Sequence, residues 1–481
     1  MSLSALDYAV IGAYLLGITA FGSWFARFQH TTRDYFLTDR SVPWWAICFT
    51  IVATETSTLT FVGIPATAYA GNMTFLQLAA GYIIGRIIVS LIFIPAYFRG
   101  ELYTSYELLQ RRFGARVKTL SAVIFLITRS LADGIRLFTT ALVIAVVTGV
   151  PVSAVIVVLG AAMIVYTMRG GVSAVIWTDV VQMFVYAAGA GVIAWSLLSL
   201  IDGGWSTVWR VGHEAGRFTV LDLSFDVSRI YTLWAGVLGG IALTLSTHGT
   251  DQFLVQRLLS ARSATEAARG LVLSGFIVFA QFILFLTIGV MLYAYYLQTP
   301  LPQPLGRTDE ILPVFVINTL PSGVAGFIVA AIVAAALSPS LNAMAATTIN
   351  DFYTPYINPG ADEATRMRVS KQATVAWGIV QLMVALGGQL MTRSVLDAGL
   401  SVLSLGSGPV LGAFLLGTLA PSTSERDVFA GMLVGLVLMA AIWWATPIAF
   451  TWYVLIGSLS TVIVALASAR LRPSAIIGAH A

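Results

Sequence analysis

The sequence predicts an all-α integral membrane protein with about thirteen transmembrane helices, some of them broken inside the bilayer. Three observations carry this. Of the 481 residues, 58% are hydrophobic and only 10% charged, and the mean hydropathy is +0.87, whereas soluble domains are roughly half apolar and a quarter charged. The apolar residues come in runs long enough to cross about 30 Å of hydrocarbon, which takes roughly 20 residues of helix. One run, residues 44–71, carries Glu55 in its middle, with the hydroxyls of Thr54, Thr56, Ser57, Thr58 and Thr60 beside it and Gly63 and Pro65 after it. Polar groups and helix breakers at membrane depth are costly unless they face a cavity or an ion.

Taken in order, spans are expected at 4–26, 44–71, 74–98, 119–148, 150–168, 173–200, 230–256, 269–297, 321–350, 370–390, 395–419, 426–445 and 450–470. The first lacks a basic n-region and carries Asp7 at its start, so it reads as a span and not as a signal peptide. Residues 31–45 form a polar hinge, and the second span is expected to break around Gly63 and Pro65. The apolar pattern within 100–119 predicts a short amphipathic helix on the inner face. The longest outer loops, 201–229 and 298–320, leave no room for a soluble domain.

Most of the 26 Lys and Arg fall in alternate loops, among them Arg99, Arg111, Arg112, Arg116, Lys118 and Arg257, while Arg86, Arg129 and Arg136 lie within spans. By the positive-inside rule this predicts a multi-pass protein of the cell membrane with its N-terminus outside and its C-terminus cytoplasmic. The loops account for the net charge of +4 without any nucleic acid, and the single Cys48 excludes an internal disulfide. The sequence has no HExxH, GxSxG or Cys/His cluster, which points away from an enzyme and predicts no cofactor beyond a coupling ion.

With the first span set aside, the interrupted second span has a counterpart five spans later. The stretch LWAGVLGGIALTLSTHGTDQFLVQR, residues 233–257, has a glycine pair followed by a polar run from Ser246 to Gln252. Two broken helices five spans apart run in opposite directions across the membrane, the mark of an inverted repeat with its site where the breaks meet. The expected division is an extra helix and hinge in 1–43, repeats in 44–229 and 230–424, and two peripheral helices with a tail in 425–481. Close packing of small residues also explains the glycines, but not Glu55 and Asp251.

Five stretches, RDYFLTDRSVPWW (33–45), TSYELLQRRFG (104–114), RGGVSAVIWTDVVQ (169–182), TDQFLVQR (250–257) and SPSLNAMAATTINDFY (338–353), are together similar to the sodium/solute symporter family. That family contains sodium-coupled sugar, sialic acid, monocarboxylate and vitamin transporters. The resemblance implies a leucine-transporter-like fold with the second to eleventh spans as a five-plus-five inverted repeat. It also implies a sodium site built from backbone carbonyls at Ala53, Thr56 and Ile332 and from two hydroxyls, at positions where this chain has Ala335 and Ala336. A cytoplasmic-side cation or proton ligand is implied at Asp179, with hydroxyl partners falling on Ser338 and Pro339, so that one is missing. Glu55, one residue from Thr56, is the candidate compensation. It either binds the cation directly or carries a proton, or it is a neutral acid hydrogen-bonded to a neighbouring helix.

Arg129, Asp133 and Arg136 share one helix face and read as an ion-pair cluster. The alternative for Arg136 is a contact with an anionic substrate, as the resemblance to sialic acid symporters implies. Arg86 is expected to pair with Glu55 or Asp133. The family's sugar-binding positions fall on Thr244, Thr247 and His248, and the next span has no Lys, only Gln281, so a sugar pocket of the family type is not supported. Ser57, Thr58, Thr60, Gln77 and Tyr82 are expected to line a pocket for a small polar or anionic solute. The function expected is import of that solute by alternating access, driven by a sodium or proton gradient, through a chain acting as a monomer in the lipid bilayer. The alternative is an uncoupled uniporter or solute sensor that keeps the fold.

Overall fold

The computed structural model describes residues 3–100, 102–302, 304–336, 340–390, 395–420 and 422–471, without the side chains at 59, 335, 336, 390 and 395–402. Secondary structure among these residues is helical apart from one bridge between Val42 and Ala261. A helix satisfies its own backbone, as a chain without water around it must. Eight helices are long and apolar enough to cross a membrane, or nine when one bent pair is taken as a single span, so the expected thirteen is not reached by this measure among the described residues. Part of the difference is one continuous element. Val152–Leu200 covers two expected spans and turns at Gly171, where φ is 57° and ψ −153°. Only glycine adopts that backbone readily, and a Cβ there would fall 2.6 Å from the Tyr35 carbonyl. The expected spans at 230–256 and 321–350 appear as shorter helices, Leu233–Gly249, Gln252–Leu259, Val324–Ala336 and Leu341–Thr347.

The first break is not at Gly63 and Pro65, which lie inside helix Thr58–Ala70. It falls at Thr56 and Ser57, after helix Trp44–Glu55, and the axes of Trp44–Glu55 and Thr60–Ala70 differ by 58°. Hydroxyl residues surround the break. Thr54, Thr56 and Thr60 donate to the carbonyls of Thr50, Val52 and Glu55, and β-branched and hydroxylated residues hold a helix weakly where their side chains compete for its backbone. Proline in the second turn of a new helix removes only one hydrogen bond. The second break, at Thr250 and Asp251 between Leu233–Gly249 and Gln252–Leu259, lies within the predicted polar run. Asp251 caps the new helix by accepting from the Phe253 N–H at 2.9 Å.

Helix Leu76–Tyr97 packs along Leu233–Gly249 through small residues, with Gly81 against Gly240, Gly85 against Ile241 and Thr244, and Gly236 against Gln77 and Leu78. A Cβ at Gly81 would lie 2.5 Å from the Val237 carbonyl, and one at Gly85 2.6 Å from Thr244 Cβ. Close packing therefore does explain these glycines, and it brings Arg86 alongside the second broken helix. Gly81→Leu is expected to lower stability by about 3 kcal/mol, the upper end for overpacking where the obstacle is backbone. A thermal melt in detergent that is unchanged would overturn the seam.

Helix Ala5–Trp24 packs on Val152–Leu200 and Val324–Ala336. Asp7 fixes it there, accepting from the N–H groups of Gly323 at 2.7 Å and Gly326 at 2.8 Å. The short helix expected within 100–119 is Tyr106–Arg112, with Tyr106 and Leu109 buried. Two cations expected in loops are instead inside the protein. Lys118 and Arg257 are 2% and 1% exposed, because helix Ala115–Thr148 begins ahead of the predicted span and Gln252–Leu259 continues past its break into the core. Lys118 meets Asp351 at 3.2 Å.

Candidate functional site

The two breaks face one another across a cavity of about 200 Å³. Helix Trp44–Glu55 and the break contribute Thr54, Glu55 and Ser57, and Thr58–Ala70 adds Thr60. Leu233–Gly249 contributes Thr244, Thr247 and His248, Ala115–Thr148 contributes Arg129 and Arg136, and Tyr82 comes from Leu76–Tyr97. Ile64, Phe75, Leu243, Phe253, Leu254, Phe282 and Leu403 form the apolar remainder. Few convergent polar groups in an apolar hollow is the usual make-up of a small-molecule site.

Ser57, Thr60, Tyr82, Arg136, Thr244, Thr247 and His248, all named as solute-binding candidates, are thus together on one wall system. Two other candidates are elsewhere. The Gln77 amide donates to the Tyr231 and Thr74 carbonyls and accepts from the Asp222 N–H, tying down the outer loop. The Thr58 hydroxyl donates to the Ile332 carbonyl at 3.1 Å and accepts from Thr140 at 2.9 Å. Its helix starts at that residue, and the first turn points its side chain away from the hollow toward Val324–Ala336. Phe253 and Arg129 were not foreseen as lining residues. The signal for Phe253 is its place two residues after Asp251 in the second break.

The carboxylate of Glu55 is already held. One oxygen is ion-paired with Arg86 Nη2, and the other lies 3.0 Å from His248 Nε2. His248 Nδ1 is in turn 2.9 Å from the Thr247 hydroxyl. Arg86 is fully buried at the middle of its helix, and Gly275 opposite gives it room, a Cβ there falling 3.1 Å from the guanidinium. Of the two partners expected for Arg86, Glu55 is the one found.

Arg129, Asp133 and Arg136 do share a face, with Asp133 at 3.7 Å from Arg129 and 3.3 Å from Arg136. Arg129 has a second, unforeseen partner, an ion pair with Asp251 of the second break. The Phe253 ring receives the guanidinium groups of Arg129 at 4.7 Å, Arg257 at 4.4 Å and Arg136 at 6.0 Å from its centre, each an attraction between a cation and the negative ring face.

Of the positions assigned to the cation, Ala53 and Ile332 are buried, Thr56 sits at the break, and its hydroxyl accepts from Gln281 at 2.7 Å. The side chains of Ala335 and Ala336, and the whole of Ser338 and Pro339, lie outside the described residues. Asp179 lies eight residues beyond the Gly171 turn in Val152–Leu200. It accepts from Thr50 at 2.5 Å, from Thr54 at 3.4 Å and from Arg257 Nη2 at 3.1 Å. Arg257 Nε also donates to Thr50, at 3.0 Å. A cation thus stands at Asp179, and it is a tethered guanidinium.

The sequence model of the Sodium:solute symporter family matches residues 35–435. The chain is 31% identical over 477 residues to the sodium/sialic acid symporter SiaT of Proteus mirabilis (strain HI4320), covering 97% of this chain and 95% of that one. It is 30% identical over 451 residues to the human sodium/iodide cotransporter, covering 90% and 69%. Among solved structures, the substrate-bound outward-open state of a Na+-coupled sialic acid symporter superposes with a TM-score of 0.91 at 29% identity, covering 98% of each chain. Two broken helices around a buried hollow, an all-helical architecture shared end to end with a solved symporter and a family match over most of the sequence agree: this chain belongs to the sodium:solute symporter family.

Proposed function

We propose that this protein is a secondary active transporter that imports a small anionic organic solute, driven by the sodium gradient, through alternating access at the cavity between the two breaks. The observation that carries the reading is the cavity wall itself. Hydroxyls from both breaks and a guanidinium from a third helix converge on a hollow of about 200 Å³. Arg136 shares Asp133 with Arg129, whereas Arg129 has Asp251 as well. Arg136 lines the cavity, and it is the arginine that the resemblance to sialic acid symporters assigns to an anionic solute. The named relatives carry sialic acid and iodide, both anions at neutral pH, which supports the same choice.

Sodium is assigned to the carbonyls of Ala53, Thr56 and Ile332, with Asp179 as a carboxylate on its cytoplasmic path. Each conformational state is stabilised only by what binds it better, so sodium must prefer the outward-open cavity. The repeats are assigned to 44–229 and 230–424, with the N-terminus outside, the C-terminus cytoplasmic and the monomer as the working unit in the plasma or inner membrane. In proteoliposomes, an inward sodium gradient is expected to drive accumulation of the solute picked out by a thermal-shift screen of organic acids. Uptake driven by a proton gradient alone, or indifferent to both gradients, would overturn sodium coupling. Arg136→Gln is expected to raise the apparent KM for the anion by one to two orders of magnitude, the loss of a charge-assisted hydrogen bond of about 1.5–3 kcal/mol, while a neutral analogue changes little. Equal losses for the two solutes would place Arg136 in the scaffold.

A further inference from the structure

On the outer wall of the helix bundle, away from the solute cavity, lies a second hollow of about 540 Å³. Its floor includes Leu91 and Ala96 of helix Leu76–Tyr97 and Leu419 at the end of Val395–Leu419. Its rim includes Arg99, Arg111 and Arg112, and none of the described residues lining it is acidic. Leu91 and Leu419 are 72% and 62% exposed, values that in a membrane-spanning helix mean contact with lipid tails. Arg99 follows that helix by two residues, so the rim sits where hydrocarbon gives way to water.

Arg111 and Arg112 are held in place. A Cβ at Gly100 would collide with Arg111 Nη1, so the glycine lets that guanidinium lie across the backbone beside Arg99. Arg112 is pinned by a bond from Nη2 to the Ala420 carbonyl at 3.2 Å and stacks on Phe113 at 4.9 Å. A planar guanidinium fork matches a phosphate in two parallel hydrogen bonds, and basic hollows between spans at the interface suit anionic head groups. A water-soluble anion would leave the apolar floor unmatched, and a neutral lipid would gain nothing from the rim.

We propose that this groove binds an anionic phospholipid, its head-group phosphate on Arg99, Arg111 and Arg112 and an acyl chain along Leu91, Ala96 and Leu419. The site is independent of which solute or ion the transporter carries. The test is native mass spectrometry of the full chain, released from detergent after exposure to phosphatidylglycerol or phosphatidylcholine. Phosphatidylglycerol is expected to stay bound and phosphatidylcholine to leave. A contribution of about 1 kcal/mol per arginine near the surface corresponds to about fivefold in affinity, so R99Q/R111Q is expected to weaken phosphatidylglycerol binding by about 25-fold. Arg368→Gln, which removes an exposed arginine elsewhere, is expected to change nothing. Ala96→Trp keeps all three arginines and fills the floor, and it too is expected to release the lipid. Retention by the double variant, equal loss in R368Q, or competition by inorganic phosphate at the lipid's own concentration would each overturn the proposal.

Discussion

Glu55→Gln is expected to abolish gradient-driven accumulation and to lower stability by about 3–5 kcal/mol, the cost of breaking a buried ion pair from one side. Arg86 has no exposure to water and faces Glu55 directly, so removing the carboxylate leaves a guanidinium charge inside the protein. His248, 3.0 Å from the same carboxylate, loses its neighbour as well. Two roles for Glu55 make different predictions about a rescue. If the residue only neutralises Arg86, the double variant E55M/R86M removes both charges and restores both melting temperature and uptake, since replacing a buried pair with apolar groups is often neutral or stabilising. If the carboxylate also holds His248 and Thr247 toward the solute, the double variant recovers its melting temperature while accumulation stays absent. The second outcome is expected, because Glu55, Thr247 and His248 all line the cavity. Wild-type accumulation by Glu55→Gln itself would sink both.

How much of this was legible in the sequence depends on which force fixed each feature. The all-helical membrane class followed from composition and run length, since in lipid only helices and closed barrels satisfy the backbone, and apolar runs of about 20 residues suit the helix. The Arg129, Asp133 and Arg136 cluster followed from helical spacing, which acts within one element. Gly63 and Pro65 misled because breaker residues are strong local signals, whereas the real break at Thr56 and Ser57 falls within a run of hydroxyl residues that bond to carbonyls four or five residues back. Gln77 reads as a polar residue inside a span, and only the fold shows the outer loop lying over it. Arg257 was the largest omission. Nothing in TDQFLVQR says that an arginine near a predicted boundary turns inward to Asp179, which is 78 residues away in sequence. Partners across that distance are set by helix packing, and packing is not written in any one segment.

Arg257→Met is expected to turn Asp179 from a paired carboxylate into a sodium-responsive one. Asp179 and Arg257 are 0% and 1% exposed, so without the guanidinium the carboxylate loses its paired charge while the hydroxyls of Thr50 and Thr54 remain. In a sodium-free buffer with a large organic cation, the melting temperature is expected to fall by the equivalent of about 3–5 kcal/mol. Sodium is small enough to enter among those oxygens, and at ten times its dissociation constant mass action returns about 1.4 kcal/mol. The large cation returns nothing. In the wild type the tethered guanidinium already occupies this carboxylate, so Asp179→Asn on that background is expected to leave sodium-induced stabilisation intact, with the ion held at the carbonyls of Ala53, Thr56 and Ile332. Loss of the sodium response in Asp179→Asn would show that the ion displaces Arg257 during the cycle. Asp179 would then be a ligand in the resting site, and the guanidinium a gate across it.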